Sequence, residues 1–254
     1  MVKKMDAKPK VVVIIEARMG SSRLPGKVLK DVNGRPALER LIARLKFCKK
    51  VDEIVVATTT SEKDDALVAW ATQNNVSYFR GSEDDVLKRV ADASQEYNAD
   101  LIVEITGDCI LTDPGVIDQA VQTFLVNSCD VVTNCGEYLS YPMGVYAQVF
   151  RASDLVWVSD NISDLAVREH VSLYFYENPD TYKIFNLVAP AEVAFKDWRL
   201  QLDYQEDLDL LNEIYKRLEP PYGDNFGLSE ICSMLKDNLH LLDINSHCIE
   251  KSAR

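Results

Sequence analysis

The chain has 254 residues, 47% hydrophobic and 27% charged, with 40 acidic against 28 basic side chains and a formal net charge of −12. That length allows one large domain, or one domain with a smaller lobe. The charge disfavours a nucleic-acid binder with a broad basic face and a protein that docks on anionic lipid. No stretch approaches about 18 uninterrupted apolar residues, so none is expected to span a membrane.

Residues 1–10, MVKKMDAKPK, carry charge without an apolar run of signal-peptide length and read as a disordered tail. The rest, 11–254, reads as a single domain. Strand-length apolar runs follow at 11–17, 53–60, 76–81, 101–108 and 130–135, separated by helical-period stretches at 36–47, 63–75, 83–97 and 113–126. Asn33-Gly34 marks a turn, and Asp113-Pro114 reads as an N-cap followed by proline at the first helical position. This alternation predicts an α/β fold, a mostly parallel sheet with helices on both faces.

After residue 135 the rhythm changes. A loop and short hairpin strand lead to a helix near 152–160, then a helix at 164–176 and strands at 182–189 and 198–203. Helices at 205–218 and 228–237 close the chain. Residues 136–195 are expected to form a small inserted lobe. Six scattered cysteines, no CxxC pair and only three histidines suggest reduced cytosolic thiols and leave little for a zinc site.

Open parallel sheets bind ligands at the carboxyl ends of their strands. The segments to watch are therefore 18–27, 58–61, 80–83, 106–109 and Asp203. The first is unusual for so acidic a chain: Arg18 to Lys30 hold four cations and no acid, with Gly20, Ser21 and Ser22 free to turn the backbone into an anion nest. Arg18 and Arg23 offer planar forks and Lys27 a mobile point charge, which suits a phosphate chain. The loop is no Walker motif, since five residues separate Gly20 from Gly26 and Val28 stands where a hydroxyl would hold magnesium.

ARMGSSRLPGKVL resembles the signature of cytidylyltransferases that activate acidic sugars, most closely the spore coat polysaccharide protein F-like branch. The resemblance continues through ATTTSEKDDALV, FRGSEDDVLKRV, ITGDCILTDP, REHVSLYFYENP and LQLDYQEDL, and so covers most of residues 11–210. It implies a Rossmann-like nucleotidyltransferase fold and transfer of CMP from CTP to a sugar hydroxyl, with pyrophosphate released and Mg2+ as cofactor. Nucleotide contacts would come from Ala17, Arg18, Met19, Gly20, Ser21, Ser22, Arg23 and Lys27, with Thr59, Arg80, Thr106 and Gly107. Arg18, Lys27 and Asp108 would be catalytic, and Asp108 and Asp203 would hold the metal. Tyr141, Tyr146, Gln148, Arg168, Glu169 and His170 are the candidates for the acceptor. It further implies a cytoplasmic homodimer, paired through the inserted lobe, that binds no nucleic acid or membrane.

Bland readings compete at several positions. Asp108 could cap a turn, Asp203 could cap the next helix, Thr59 could merely end a strand, and Arg80 could pair with Glu83 or Asp84. His170 could be buried against Tyr174. The chain also departs from the family pattern. Tyr146 and Gln148 stand where relatives carry two carboxylates, and Glu16 stands where Pro or Gln is usual. The first change would suit a different acceptor or a chain that binds without catalysis; the second has no ready explanation in the sequence. The alternative chemistries are another nucleotide's transferase, using UTP or GTP, or a glycosyltransferase. The last would want a DxD at a strand end, whereas Asp207-x-Asp209 lies within an expected helix.

Overall fold

The computed structural model describes residues 8–136 and 138–249. Of the expected tail, residues 1–7 lie outside this range; Lys8 pairs with Asp52 at 2.6 Å, and the Lys10 amide donates to Asp100 at 2.7 Å.

Strand β1 (Val11–Glu16) is buried on both faces, which is why its sequence is continuous rather than alternating. A small hairpin, β2 (Asp31–Val32) and β3 (Arg35–Pro36), turns on Asn33 and Gly34, both at positive φ. Helix α1 (Ala37–Leu45), β4 (Glu53–Thr59), α2 (Asp65–Gln73), β5 (Ser77–Gly81), α3 (Val86–Glu96), β6 (Leu101–Thr106) and α4 (Pro114–Val126) follow in crossover units. Then come β7 (Val131–Thr133), β8 (Gln148–Arg151), α5 (Ala152–Asn161), α6 (Leu165–Glu169), α7 (Leu173–Glu177), β9 (Ile184–Asn186), α8 (Gln205–Tyr222) and α9 (Leu228–Asp237).

Seven strands form one sheet in the order β5-β4-β1-β6-β8-β7-β9. The first four are mutually parallel, β8 runs against its neighbours β6 and β7, and β7 and β9 are parallel to each other. The mostly parallel α/β fold expected from the sequence is therefore the one observed. Successive β1 residues feed opposite cores: Val13 and Ile15 pack with Leu38, Ile105 and Tyr215, while Val12 and Ile14 pack with Leu87, Val90 and Phe175. From β1 the chain steps outward through β4 to β5, then crosses back to β6 on the other side. The order thus reverses between β1 and β6, and an open α/β sheet presents its ligand crevice at such a point.

Two expected elements differ. The helix at 164–176 is two short ones, α6 and α7, separated at His170–Ser172; the break lets Val171 and Phe175 both enter the core while Arg168 reaches Asp85. Residues 198–203 are extended but join the sheet nowhere. They pair only with 143, by a single bridge between Met143 and Arg199. Gly144 explains the close pass: at φ +89°, a Cβ on it would sit 2.7 Å from the Gln201 nitrogen. The segment is then fixed from its far end, where Leu202 donates its amide to the Asp108 carbonyl at 3.0 Å.

Candidate active site

The loop leaving β1 closes on itself when the Gly26 amide bonds to the Met19 carbonyl at 3.0 Å; Gly26 takes φ +68°, which glycine tolerates without strain. Asp64, at the start of α2, bolts the loop to the end of β4. Its carboxylate accepts from the Met19 amide at 2.7 Å, from the Thr58 hydroxyl and the Thr59 amide at 3.1 Å each, and from the Thr59 hydroxyl at 2.5 Å. Met19 and Thr59, both expected to face the nucleotide, thus serve the loop's own architecture. The amides of Gly20, Ser21 and Ser22 donate to no protein group among the described residues. They supply the unengaged donors that an anion nest requires.

Lys27, just past the loop, reaches across the mouth of the sheet. Its ammonium lies 2.5 Å from Asp108 Oδ2 and 2.7 Å from Asp203 Oδ1. Arg23 reaches the second oxygen of Asp203 at 2.7 Å, and Arg199 approaches the same oxygen at 3.3 Å while binding Asp207 at 2.9 Å. Three elements far apart in sequence thus converge on one ionic knot. Burial opposes charge on Asp203, but Lys27 and then Arg23 outweigh it and hold its carboxyl below the usual carboxylate range. Burial likewise opposes the charge on Lys27, and Asp108 and Asp203 together outweigh that, so its ammonium holds its proton more tightly than usual. Thr106 steadies the free oxygen of Asp108 by a hydroxyl bond of 2.6 Å. Asp203 does not cap α8; Asp207 accepts the Asp203 and Tyr204 amides there, both at 2.9 Å.

The remaining sequence candidates divide into groups. Ala17 is buried and Gly107 donates its amide to the Glu16 carbonyl at 2.8 Å, so both shape the floor of the mouth. Arg18 is held loosely beside the loop, 3.3 Å from the Glu83 carbonyl and 3.4 Å from Glu169. Arg80 pairs with neither Glu83 nor Asp84. It donates to the carbonyls of Thr59 and Ser61 at 2.9 and 3.0 Å and pairs with Asp65 at 2.8 Å. Arg168 is committed to Asp85 and to the carbonyls of Ser159 and Ile162, so it fastens α6 to the start of α3. Tyr141 is buried, Tyr146 half-buried, and His170 exposed rather than packed in the core.

Gln148 leads to residues the sequence reasoning missed. Glu104, Gln148, Thr133 and Asn186 stand directly opposite one another on β6, β8, β7 and β9, a polar row across one sheet face. Tyr176 on α7 donates its hydroxyl to the Gln148 carbonyl, so the Gln148 amide points the other way and donates to Glu104 at 2.7 Å. Glu16 lies against Glu104, one strand over. Burial, then the charge of Glu104, pushes the Glu16 carboxyl well above the ordinary carboxylate range, against a partial pull from Arg89. Burial pushes Glu104 up to about 7, although bonds from Glu16 and Gln148 favour its charge. Burial and the closeness of the two carboxyls thus favour a proton held on the Glu16–Glu104 pair. One oxygen of Glu16 is buried without a protein donor. The available signal was a single acid inside each of two central apolar strands, VVVIIE and LIVEIT.

A loop of unengaged amides and two converged carboxylates at the switch point of this sheet match a Rossmann-like nucleotidyltransferase fold. A sequence profile of the cytidylyltransferases matches residues 12–226, and the chain belongs to that family. It is similar to a solved cytidylyltransferase from Leptospira borgpetersenii, at 33% identity and a TM-score of 0.86 over 92% of this chain and 97% of that one. It is 39% identical to an uncharacterized protein of Methanocaldococcus jannaschii over 96% of this chain and 98% of that protein. It is also 32% identical to the spore coat polysaccharide biosynthesis protein SpsF of Bacillus subtilis, over 90% of this chain and 95% of that protein.

Proposed function

We propose that this cytidylyltransferase transfers CMP from CTP to a hydroxyl of an acidic sugar, with release of pyrophosphate, to supply surface-glycan synthesis. The observation that carries this reading is the Lys27 ammonium held between Asp108 and Asp203 directly beyond a loop of unengaged amides. In this reading the amides of Gly20, Ser21 and Ser22 cradle the triphosphate, and Arg18 and Lys27 offset the charge that gathers on departing pyrophosphate. Arg23 keeps Asp203 in place. The task is positioning and charge neutralisation, because the attacking hydroxyl and the α-phosphorus supply the covalent chemistry.

The two aspartates fit Mg2+: both are hard oxygen donors, and both already face one cation, Lys27, at hydrogen-bond distance. Held by Asp108 and Asp203, Mg2+ would supply neutralisation of phosphate charge. Glu169, His170, Tyr141 and Tyr146 remain the acceptor candidates, with Arg18 near Glu169 as the cation for an acidic sugar. Gln148 bonds to Glu104 and Tyr176.

We also propose a cytoplasmic homodimer paired through residues 136–195. No helix among the described residues is long and apolar enough to cross a membrane. Tyr138, Leu139, Trp157, Leu165, Phe185 and Val188 in that stretch are all exposed large apolar side chains, a composition that favours a partner surface. Light scattering on the purified chain tests the pairing.

The activity test measures pyrophosphate from CTP and Mg2+ with a panel of acidic sugars, beside thermal shifts with CTP, UTP, GTP and UDP-sugars. CTP-selective stabilisation with sugar-dependent release is expected. No release from any sugar together with no CTP binding would overturn the proposal.

A further inference from the structure

Glu206, in the first turn of α8, stands beside His247 and Cys248 from the C-terminal turn. One donor atom from each, a carboxylate oxygen, an imidazole nitrogen and a thiol sulfur, lies within 4.8 Å of the other two. His247 Nε2 is 3.4 Å from Glu206 Oε1. Among the described residues no other group of three such side chains forms. We propose that Glu206, His247 and Cys248 form a site for a borderline transition-metal ion, Zn2+ by its chemistry, with solvent in the fourth position.

Donor type argues first. One sulfur, one nitrogen and one oxygen suit Zn2+ or Co2+, whereas Mg2+ takes oxygen alone, so this site and the aspartates at the sheet mouth select different metals. Spacing argues second. Bond lengths of about 2.0–2.3 Å put tetrahedral zinc donors about 3.3–3.8 Å apart. The imidazole and carboxylate already have that separation, and the thiol lies within 4.8 Å of both.

The segment is also held in place. Asn245 donates to the Arg199 carbonyl at 3.0 Å and to Asp207 at 2.8 Å, the Cys248 amide donates to the Asn245 carbonyl at 3.0 Å, and Tyr204 donates to the Ile249 carbonyl at 3.1 Å. Without metal, Cys248 is a free thiol. Binding breaks that S–H bond, forms a metal–sulfur bond and releases the proton to solvent. Because Asn245 and Tyr204 connect the turn to Arg199 and to the neighbour of Asp203, a bound ion would also tie residues 245–249 to the segment that positions the active-site carboxylate. Sequence spacing hid the site: its ligands stand 41 residues apart (Glu206 to His247).

The test is titration of the full chain with Co2+ in excess Mg2+, read by absorbance. One equivalent should bring up a thiolate-to-cobalt charge-transfer band and the visible bands of tetrahedral cobalt. Cys248→Ser should abolish the charge-transfer band, and His247→Ala and Glu206→Gln should each weaken binding by about tenfold or more. No charge-transfer band in the wild-type chain, or one that survives in Cys248→Ser, would overturn the proposal. The readout needs neither CTP nor sugar, so it stands or falls apart from the catalytic reading.

Discussion

Two pairs of carboxyl groups lie near the same end of the sheet and have opposite fates. Asp108 and Asp203, both buried, meet Lys27, and Asp203 also meets Arg23, so that the two cations hold the Asp203 carboxyl below the usual carboxylate range. Glu16 and Glu104 meet each other and an amide, and between them retain a proton. Burial acts on both pairs alike. The partner decides the outcome, since a cation at hydrogen-bond distance repays desolvation and a neutral amide does so only in part. The first pair thereby faces cations, and the second is left to hydrogen bonding. Charge was not sacrificed evenly at this rim; it was concentrated at the mouth.

The largest expected effect comes from removing charge where it is concentrated. Asp108→Asn keeps the shape and the bond from Thr106 but takes away one of two anions. Pyrophosphate release from CTP should fall by about 10³-fold, with the melting temperature close to wild type. Full Mg2+-dependent turnover in this variant would show that the mouth does not need its paired acids.

Next is the reverse operation, adding charge where it has been avoided. Gln148→Glu places a third carboxyl against Glu104 and removes the amide that donates to it. Urea unfolding at pH 8 should show a loss of about 2–4 kcal/mol. Adding Glu16→Gln restores a donor facing Glu104 and should recover most of that loss, a coupling expected only if the three side chains act as one network. Independent, additive effects would separate them.

The pH dependence follows with the same logic and a smaller size. Glu104 is raised from its ordinary 4.5 to about 7, so its contribution to stability is complete below about 4.5 and is lost as pH rises toward 7. Asp203 is lowered from its ordinary 3.8, so its contribution is present at neutral pH and is lost as pH falls below that value. Thermal melts should thus decline at both ends. Glu16→Gln should flatten the fall between about pH 5 and 7 and leave the acid limb unchanged. An unchanged neutral limb would mean that Glu16 is not the group that shares the proton.

These contrasts also show what the sequence could and could not disclose. The crossover units were legible because periodicity is local: VVVIIE, EIVVATT and LIVEIT announce themselves as central strands. The mouth was legible through its motifs, with Lys27, Asp108 and Asp203 all marked. Its wiring was not, because it depends on which side chains meet across the sheet. Asp64 lies at the start of the helical stretch expected at 63–75, and nothing local says that it would hold Met19, Thr58 and Thr59 together. Arg80 and Arg168 looked available, since a sequence cannot show that carbonyls and an aspartate will claim every face of a guanidinium. Residues 198–203 alternate as a strand should, yet the close pass at Gly144 and the pull of Asp207 on Arg199 prevent their joining the sheet.

The smallest effect separates the mouth from its rim. His170 is exposed at the end of α6, next to Glu169, whose carboxylate meets Arg18. Removing an exposed imidazole changes stability by no more than about 0.5 kcal/mol, so His170→Ala should melt like wild type. If His170 only helps to bind the sugar, KM for the acceptor should rise by up to about tenfold with kcat unchanged. If instead it moves a proton, kcat should fall with KM for the acceptor little changed. The first outcome leaves catalysis to the charged mouth; the second would extend the chemistry to the rim.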